Sequence, residues 1–507
     1  ILERYEQDYE RERPGLVKEA MSLLWAARRG LSENELMELL GSDGQPLPHA
    51  YWSPPWLAVK ESLVRRAGLL NFSHDYFRKA VSEKYIPEGN SQKAIHVQLA
   101  DYFERHELTT RKVDELAWQL SNAEEWERLK ICISDLQMFD ALFTEEKKYE
   151  LTYYWLKLGS GFDQVRAYSD AIASYEKTNP SELELAYIIR QVSQFHYLSA
   201  MYDDAEPLMH RTLNIYENHY GVNHPATAFS LNDLATLYDS KGNYNEAERL
   251  YKRAIEILEK NTESNYLDLA ACLNNLALLK HNKGNYDNAE QYYERALEMY
   301  ETILGPDDLY VALILSNISS VYISIIEVSA AGKSMRIPSV RKSLEELPEY
   351  VDPEEIASYA KVEPILKRSL AIREKTLGPN HTDLLSSFTN LSSVYIRMKR
   401  FDKAELLLRR ALALCERTFG MQHPSTGATL YAFGDLYYSQ EKFMEAVRYY
   451  SQAYDVLTKI LGWKHPYAKY AFNKLALAQK LQKEQKIDQI FLFAHKVIKR
   501  LGLLPRD

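Results

Sequence analysis

The sequence predicts an all-α chain: a right-handed solenoid of stacked helical pairs with a 42-residue period, preceded by a small domain and irregular helical hairpins. Three observations carry that expectation. Gly378, Gly420 and Gly462 stand 42 residues apart, and three residues after each comes His381, His423 or His465. Gly221 with His224 and Gly305 with Asp308 keep the same clock, two periods (84 residues) apart. The composition, 46% hydrophobic and 26% charged with only 19 Gly and 18 Pro in 507 residues, favours helix throughout. In a repeat of this length each unit buries its apolar face only against its neighbours, which leaves a long exposed surface for binding.

The chain opens at Ile1 on a charged helical run, ILERYEQDYERERPG, that reads as the middle of a larger polypeptide. LVKEAMSLLWAARRGLSENELMELLG then reads as helix, tight turn and helix. Gly30 ends the first, and Ser32 with Glu35 forms a capping box for the second. A third amphipathic helix is expected in PPWLAVKESLVRRAG, followed by a short strand in GLLNFSH. Three helices and a small β-wing make a winged-helix domain over residues 1–91. Its R-R-G-L-S-E-x-E-L turn and F-S-H-D-Y-F segment resemble the winged-helix module that follows the ATPase in signalling NTPases of the STAND class. Residues 92–183 continue as helical hairpins without a clean period and join the wing to the solenoid.

From residue 184 to 500 the 42-residue layout gives about seven pairs of helices. The first helix of a pair carries L-x-x-L-A/S-x-x-Y: Leu231, Leu234, Ala235 and Tyr238, then Leu273, Leu276 and Ala277. Further copies are Leu315, Ile318, Ser319 and Tyr322; Phe388, Leu391, Ser392 and Tyr395; and Leu430, Phe433, Gly434 and Tyr437. The 3–4 spacing puts these on one helical face, and the small residue marks a close helix crossing. The second helix reads G-N-Y-x-x-A-x-x-x-Y-x-x-A, as in Gly242, Tyr244, Ala247, Tyr251 and Ala254. Between pairs, glycine suits a left-handed cap, and Pro225, Pro424 and Pro466 open the next helix. The last copy, from Pro466, loses the consensus at Asp488, and IDQIFLFAHKVIKRLGLL is expected to cap the stack.

These motifs resemble the tetratricopeptide repeat over about 60% of the chain, in the long variant found in kinesin light chains. A winged helix followed by such repeats looks like the C-terminal region of nephrocystin-3-like and tetratricopeptide-repeat-protein-41-like STAND proteins. That resemblance implies a non-enzymatic scaffold that binds protein partners or peptide segments through the repeats. It equally admits the regulatory half of a STAND-type switch, with an NTPase domain upstream and intramolecular contact to it. A cytoplasmic location follows, with a ciliary setting implied by the family.

Gly305 to Gly378 is 73 residues, so one pair carries an insertion, near 327–357, expected as a flexible loop with a short helix at its acidic end. Basic residues precede serine there, in Arg336–Ser339 and Arg341–Ser343, which makes Ser339 and Ser343 candidate phosphorylation sites. Gly332-Lys333-Ser334 has the ending of a phosphate-binding loop, but the glycine required five residues earlier is Glu327.

The remaining chemistry points away from catalysis. The formal charge of −9 argues against bulk attraction to nucleic acid, although Arg65, Arg66, Arg78 and Lys79 offer a local patch. Cys132, Cys272 and Cys415 are scattered and read as buried thiols of a reducing compartment. No stretch reaches the ~18 apolar residues of a membrane helix, so no membrane span is expected. The periodic histidines sit too far apart, one helical pair from the next, to share a metal. No catalytic residue, cofactor or metal is expected.

Binding residues are expected on the first helices, beside the packing leucines: Asn232, Thr236, Asn274, His281, Asn317, Asn390, Ser393, Arg397, Asp435, Asn473 and Lys480. Asparagine suits such a peptide-binding groove because its amide donates to and accepts from a backbone at once.

Overall fold

In the computed structural model, the described residues are 2–10, 13–42, 44–59, 62–86, 89–144, 147–261, 265–335, 353–421, 423–461, 463 and 466–500. They fall into two compact units, residues 1–237 and 238–507.

The first unit opens with helices α1 (Leu2–Tyr9), α2 (Leu16–Ala26), α3 (Glu33–Leu39) and α4 (His49–Val59), followed by strands β1 (Leu63–Arg66) and β2 (Leu69–Phe72). The capping box at α3 is formed: Ser32 Oγ accepts from the Glu35 amide at 3.1 Å, and the Glu35 carboxylate accepts from the Ser32 amide at 2.7 Å. The third helix differs from expectation. It begins at His49, contains Pro54 and Pro55, and stops at Val59, while Leu63–Arg66 is a strand. The reason is the turn that follows: Ala67 (φ 49°) and Gly68 (φ 83°) form a two-residue loop with both φ positive, the geometry of a tight hairpin. Gly30 (φ 90°) is likewise not the helix end. The helix stops at Ala26, and Gly30 lies where a Cβ would stand 2.3 Å from the Leu70 carbonyl oxygen, beside a bridge between Leu31 and Leu70.

Among the described residues of this unit, nine further α-helices follow: α5 (Asp75–Tyr85), α6 (Asn90–Arg105), α7 (Thr110–Ala123), α8 (Trp126–Ser134), α9 (Leu136–Leu142), α10 (Lys148–Leu158), α11 (Gln164–Glu176), α12 (Glu182–Leu198) and α13 (Tyr202–Tyr220); α14 (Pro225–Ser240) begins in it. One hydrophobic core includes residues from Leu2 to Phe195. Its centre is aromatic: Phe139, Tyr168 and Phe195 meet edge to face at 4.9–5.8 Å, and the Tyr168 hydroxyl donates to the Ile133 carbonyl at 2.9 Å.

The second unit holds α15 (Tyr244–Lys260), α16 (Tyr266–Asn282), α17 (Tyr286–Leu304), α18 (Leu309–Met335), α19 (Pro353–Leu377), α20 (Leu384–Arg397), α21 (Phe401–Thr418), α22 (Pro424–Ser439), α23 (Phe443–Leu461) and α24 (Pro466–Arg500). Pairs α16–α17, α18–α19, α20–α21 and α22–α23 pack internally, and each pair packs on the next. The close crossing predicted from small residues is visible at Gly434, where a Cβ would lie 2.4 Å from the Tyr450 ring.

Two expectations about this array change. The seventh pair is a single 35-residue helix, α24. The turn inside a pair falls on a left-handed residue that recurs every 42 positions, at Ala200, Gly242 and Gly284 and again at Lys399 and Glu441. The next equivalent, Lys483, lies in the run LQKEQKID, where good helix formers surround it, and there the helix continues.

The insertion also differs from a loop over 327–357. Residues 327–335 prolong α18 and 353–357 open α19, while Ser339 and Ser343 lie outside the described residues. The Gly332-Lys333-Ser334 backbone is helical, which a phosphate-binding loop is not. Leu309–Ser329, with mean hydropathy 1.9, is by length and composition apolar enough to cross a membrane, contrary to the sequence expectation. In this fold it is the first helix of a pair, packed on α17 and α19.

Candidate functional site

The candidate site is the first-helix face, and its geometry is clearest in the second unit. Asn317 of α18 donates from its amide to the Asn274 side-chain oxygen of α16 at 2.9 Å, and Asn274 donates to Asn275 at 3.1 Å. Seven residues on, His281 Nε2 and the Ser324 hydroxyl meet at 2.9 Å. Arg397 of α20 reaches Glu327 of α18 at 3.4 Å. Farther along, Asp435 accepts from the Tyr450 hydroxyl at 2.6 Å and lies 3.7 Å from the Lys474 ammonium of α24. Within the first unit the same relation joins α12 to α14, where Arg190 Nε meets Asp233 at 2.7 Å and Gln194 donates to the same oxygen at 3.2 Å.

The expected residues therefore fall into two groups. Asn274, His281, Asn317, Arg397 and Asp435 bind other side chains of the chain and help stitch it together. Asn390 is half-buried and Ser393 and Asn473 are exposed, and none of the three has a side-chain hydrogen bond among the described residues. Lys480 is exposed. Asn232 and Thr236 lie half-buried in the first unit, Thr236 donating to the Asn232 carbonyl at 2.9 Å. One register correction follows. Asn317 and Asn390 share a repeat position with Asp233 and Asn275, whereas Asn232, Asn274 and Asn473 occupy the position before it.

Two sets of periodic charges went unnoticed in the sequence. Glu248, Glu290 and Glu363 on second helices accept from the next first helix, from Lys280 at 2.7 Å, Tyr322 at 2.6 Å and Tyr395 at 3.2 Å, and Glu363 accepts also from Arg400, in the turn after that helix, at 2.5 Å. Arginine–glutamate pairs join successive second helices: Arg295–Glu259 at 2.8 Å, Arg368–Glu301 at 2.6 Å and Arg410–Glu374 at 2.6 Å. The signal was the once-per-repeat recurrence of glutamate after a small apolar residue of the second-helix motif (Ala247, Ala289 and Val362) and of an arginine six residues after that residue.

The junction histidines have a local task. His224, His381 and His423 each accept, through Nδ1, from the amide two residues ahead at 3.1–3.2 Å, and Asp308 does the same for Tyr310 at 2.8 Å. His423 caps α22, and His224 and Asp308 stand directly before α14 and α18, whereas His381 makes the same bond two residues before Asp383, the N-cap of α20; aspartate can stand in for histidine because only one acceptor is needed. His465 lies outside the described residues. Among the described residues no cluster of three metal-capable side chains exists, and all three cysteines are buried thiols outside any disulfide.

The basic patch near the hairpin is mostly engaged. Arg65 pairs with Glu33 at 2.8 Å, Arg78 donates to the Trp25 carbonyl at 2.9 Å, and Lys79 lies 3.7 Å from Glu83. Behind it sits a buried polar hub. Glu115 accepts from the Arg28 and Arg29 amides at 3.1 and 2.9 Å, from Gln119 at 2.8 Å and from Arg111 at 3.3 Å. Arg111 also bonds Glu35 and the Gly30 carbonyl. Arg28 forms a bidentate pair with Glu150.

Residues 184–260, 268–325, 358–417 and 407–459 match the tetratricopeptide repeat family. A TPR repeat-containing protein of Dictyostelium discoideum is 31% identical over 233 residues, covering 43% of this chain and 14% of that protein. Nephrocystin-3 of Homo sapiens is 28% identical over 251 residues, covering 47% of this chain and 18% of its own length. Tetratricopeptide repeat protein 41 of Mus musculus is 26% identical over 189 residues, covering 32% of this chain and 14% of its own. The chain thus spans less than a fifth of these relatives. Among solved structures, a STAND protein with a tetratricopeptide-repeat sensor from Pyrococcus horikoshii aligns with 91% of this chain and 66% of its own, at 14% identity and a TM-score of 0.43.

Proposed function

We propose that this chain, a tetratricopeptide-repeat protein related through its repeats to nephrocystin-3 and tetratricopeptide repeat protein 41, is a non-enzymatic scaffold that holds an extended partner peptide on its first-helix face. The repeats make it a protein-interaction module; the groove and the peptide are our reading. The observation that carries it is Asn390. Its half-buried amide has no intramolecular partner among the described residues, while Asn317, at the same repeat position, is paired. A partly buried amide without a partner gains most from a ligand that donates and accepts together, as a peptide backbone does. Ser393, Asn473 and Lys480 extend the same polar line, and an acidic peptide would suit Lys480.

The test is capture of partners by the whole chain, comparing wild type with Asn390→Ala/Ser393→Arg. These positions break no internal hydrogen bond, unlike Asn274, so loss of partners by a variant of unchanged helicity supports the groove. Retention of every partner would move binding to another face.

A second reading makes the chain the regulatory half of a STAND-type switch, with a winged helix at 1–91 and contacts to an upstream NTPase domain. The polar hub around Glu115 favours it, because it fixes the Arg28–Gly30 turn to α7 and lets the N-terminal helices move as one body. Partner-dependent nucleotide hydrolysis by the full-length protein would establish the switch; a rate indifferent to the repeats' partner would leave the scaffold. A cytoplasmic, ciliary setting belongs to the same proposal.

A further inference from the structure

The repeat makes one residue anomalous. Arg373, near the end of α19, is 9% exposed, yet among the described residues no carboxylate bonds it, and its guanidinium donates there only to the Ser387 hydroxyl at 2.5 Å and the Ser386 hydroxyl at 3.4 Å. Equivalent positions in the array hold Leu258, Tyr300, Cys415 and Leu457. The partner position behaves in parallel: Cys415 meets Thr429 at 3.6 Å as Arg373 meets Ser387. Where neighbouring pairs place an apolar or weakly polar contact, this pair buries a cation with two neutral acceptors. Removing a guanidinium from water without a countercharge is costly. Burial accordingly pushes the Arg373 pKa down, against the smaller pull of the Asp383 charge. Asp383 itself is exposed and lies 3.7 Å from His381.

Ser386 completes the picture. It is exposed, is the third residue of α20, and stands at a position held by Ala271, Leu313 and Ala428 in other pairs. A negative group at its hydroxyl would meet the guanidinium on one side and the positive end of the helix dipole on the other.

We propose that Arg373, Ser386 and Ser387 form an oxyanion site of phosphate size at the junction of α19 and α20. Two sources share this chemistry: free inorganic phosphate, or a phosphate ester carried by Ser386 itself. In the second case a protein kinase transfers the terminal phosphoryl group of a nucleoside triphosphate. The Ser386 oxygen forms the new P–O bond, the bond to the leaving nucleoside diphosphate breaks, and the hydroxyl proton passes to the kinase base. The site is independent of the peptide face proposed above.

The experiment measures the thermal unfolding midpoint of the whole chain in three forms: wild type, Arg373→Leu (the residue of two equivalent positions) and Arg373→Gln. Each is measured with inorganic phosphate against chloride of equal ionic strength, and again with phosphoserine installed at 386. A midpoint rise of about 2 °C in wild type with free phosphate, absent from both variants, supports a site for the free anion. A rise of that order with phosphoserine alone, again lost in both variants, supports the site with the ester as its occupant. No rise in either arm, or one equal in wild type and variants, overturns the proposal. Arg373→Gln keeps the test valid if Arg373→Leu misfolds.

Discussion

Asn317 donates to Asn274 across two neighbouring first helices, and the two residues are 43 apart in the chain. The same spacing joins His281 to Ser324 and, in the first unit, Arg190 to Asp233. One period plus one residue is thus the register in which first helices address each other, and the side chains there are spent on cohesion. Alanine at Asn274 or Asn317 alone strands a half-buried amide and is expected to cost about 1 kcal/mol. The double variant should cost less than the sum of the two, by roughly 0.5–1 kcal/mol. Urea denaturation of the four proteins measures this, and strict additivity would mean that the hydrogen bond contributes nothing.

Gly434 is a steric requirement. The Tyr450 ring occupies the place of its missing Cβ, so Gly434→Ala must push α22 from α23 or turn the tyrosine off its hydrogen bond to Asp435. We expect a loss of about 1–3 kcal/mol, despite the better helix propensity of alanine. A variant as stable as wild type in calorimetry would show that the crossing relaxes freely.

His196 supplies a pH dependence. Its ring is 1% exposed, both nitrogens lack partners among the described residues, and Tyr168 lies beside it at 6.0 Å. Burial holds its pKa down to about 4, outweighing the nearby Asp204 charge. The folded state thus keeps the ring neutral where the unfolded chain, near 6.5, takes up a proton. Stability from this group is complete above pH 6.5 and falls as pH drops toward 4, by at most about 3 kcal/mol. His196→Phe should flatten the stability profile over that interval, and an unchanged slope would remove His196 as its source.

How much of this was legible is best seen at the turns and junctions. Gly221, Gly305, Gly378 and Gly420 do take positive φ, and Pro225, Pro424 and Pro466 open helices, because these backbone needs are local and leave a local mark. The end of the array was not legible. Lys399 and Glu441 enter the left-handed region without being glycine, so nothing at Lys483 distinguished a turn from a continuing helix. The same limit hid the site. Asn390 and Asn274 look alike in sequence, and only the neighbouring helix decides which amide is paired. Arg373 was invisible as a single charge. It became conspicuous once the fold buried it without an acid.

Glu248 is the most charged joint of the second unit. It meets Lys280 at 2.7 Å, Lys252 at 2.9 Å and Lys283 at 3.1 Å, whereas Glu290, one period later, accepts from the Tyr322 hydroxyl. Partial burial raises the Glu248 pKa, but the hydrogen bonds from Lys280, Lys252 and Lys283 outweigh it and bring the group to about 2. The folded value lies below the ordinary 4.5, so the stabilisation is present above pH 4.5 and is lost as pH falls toward 2. After allowance for solvent screening of the partly exposed lysines, about 1–2 kcal/mol is expected. Glu248→Gln should lower the neutral-pH midpoint by that amount, with a smaller loss in 1 M salt, where exposed ion pairs are already screened. Glu290→Gln, which removes a carboxylate that accepts from a neutral hydroxyl and not from a lysine, should show little salt dependence. Equal salt responses in the two variants would mean that the three lysines merely surround Glu248 without stabilising the fold through it.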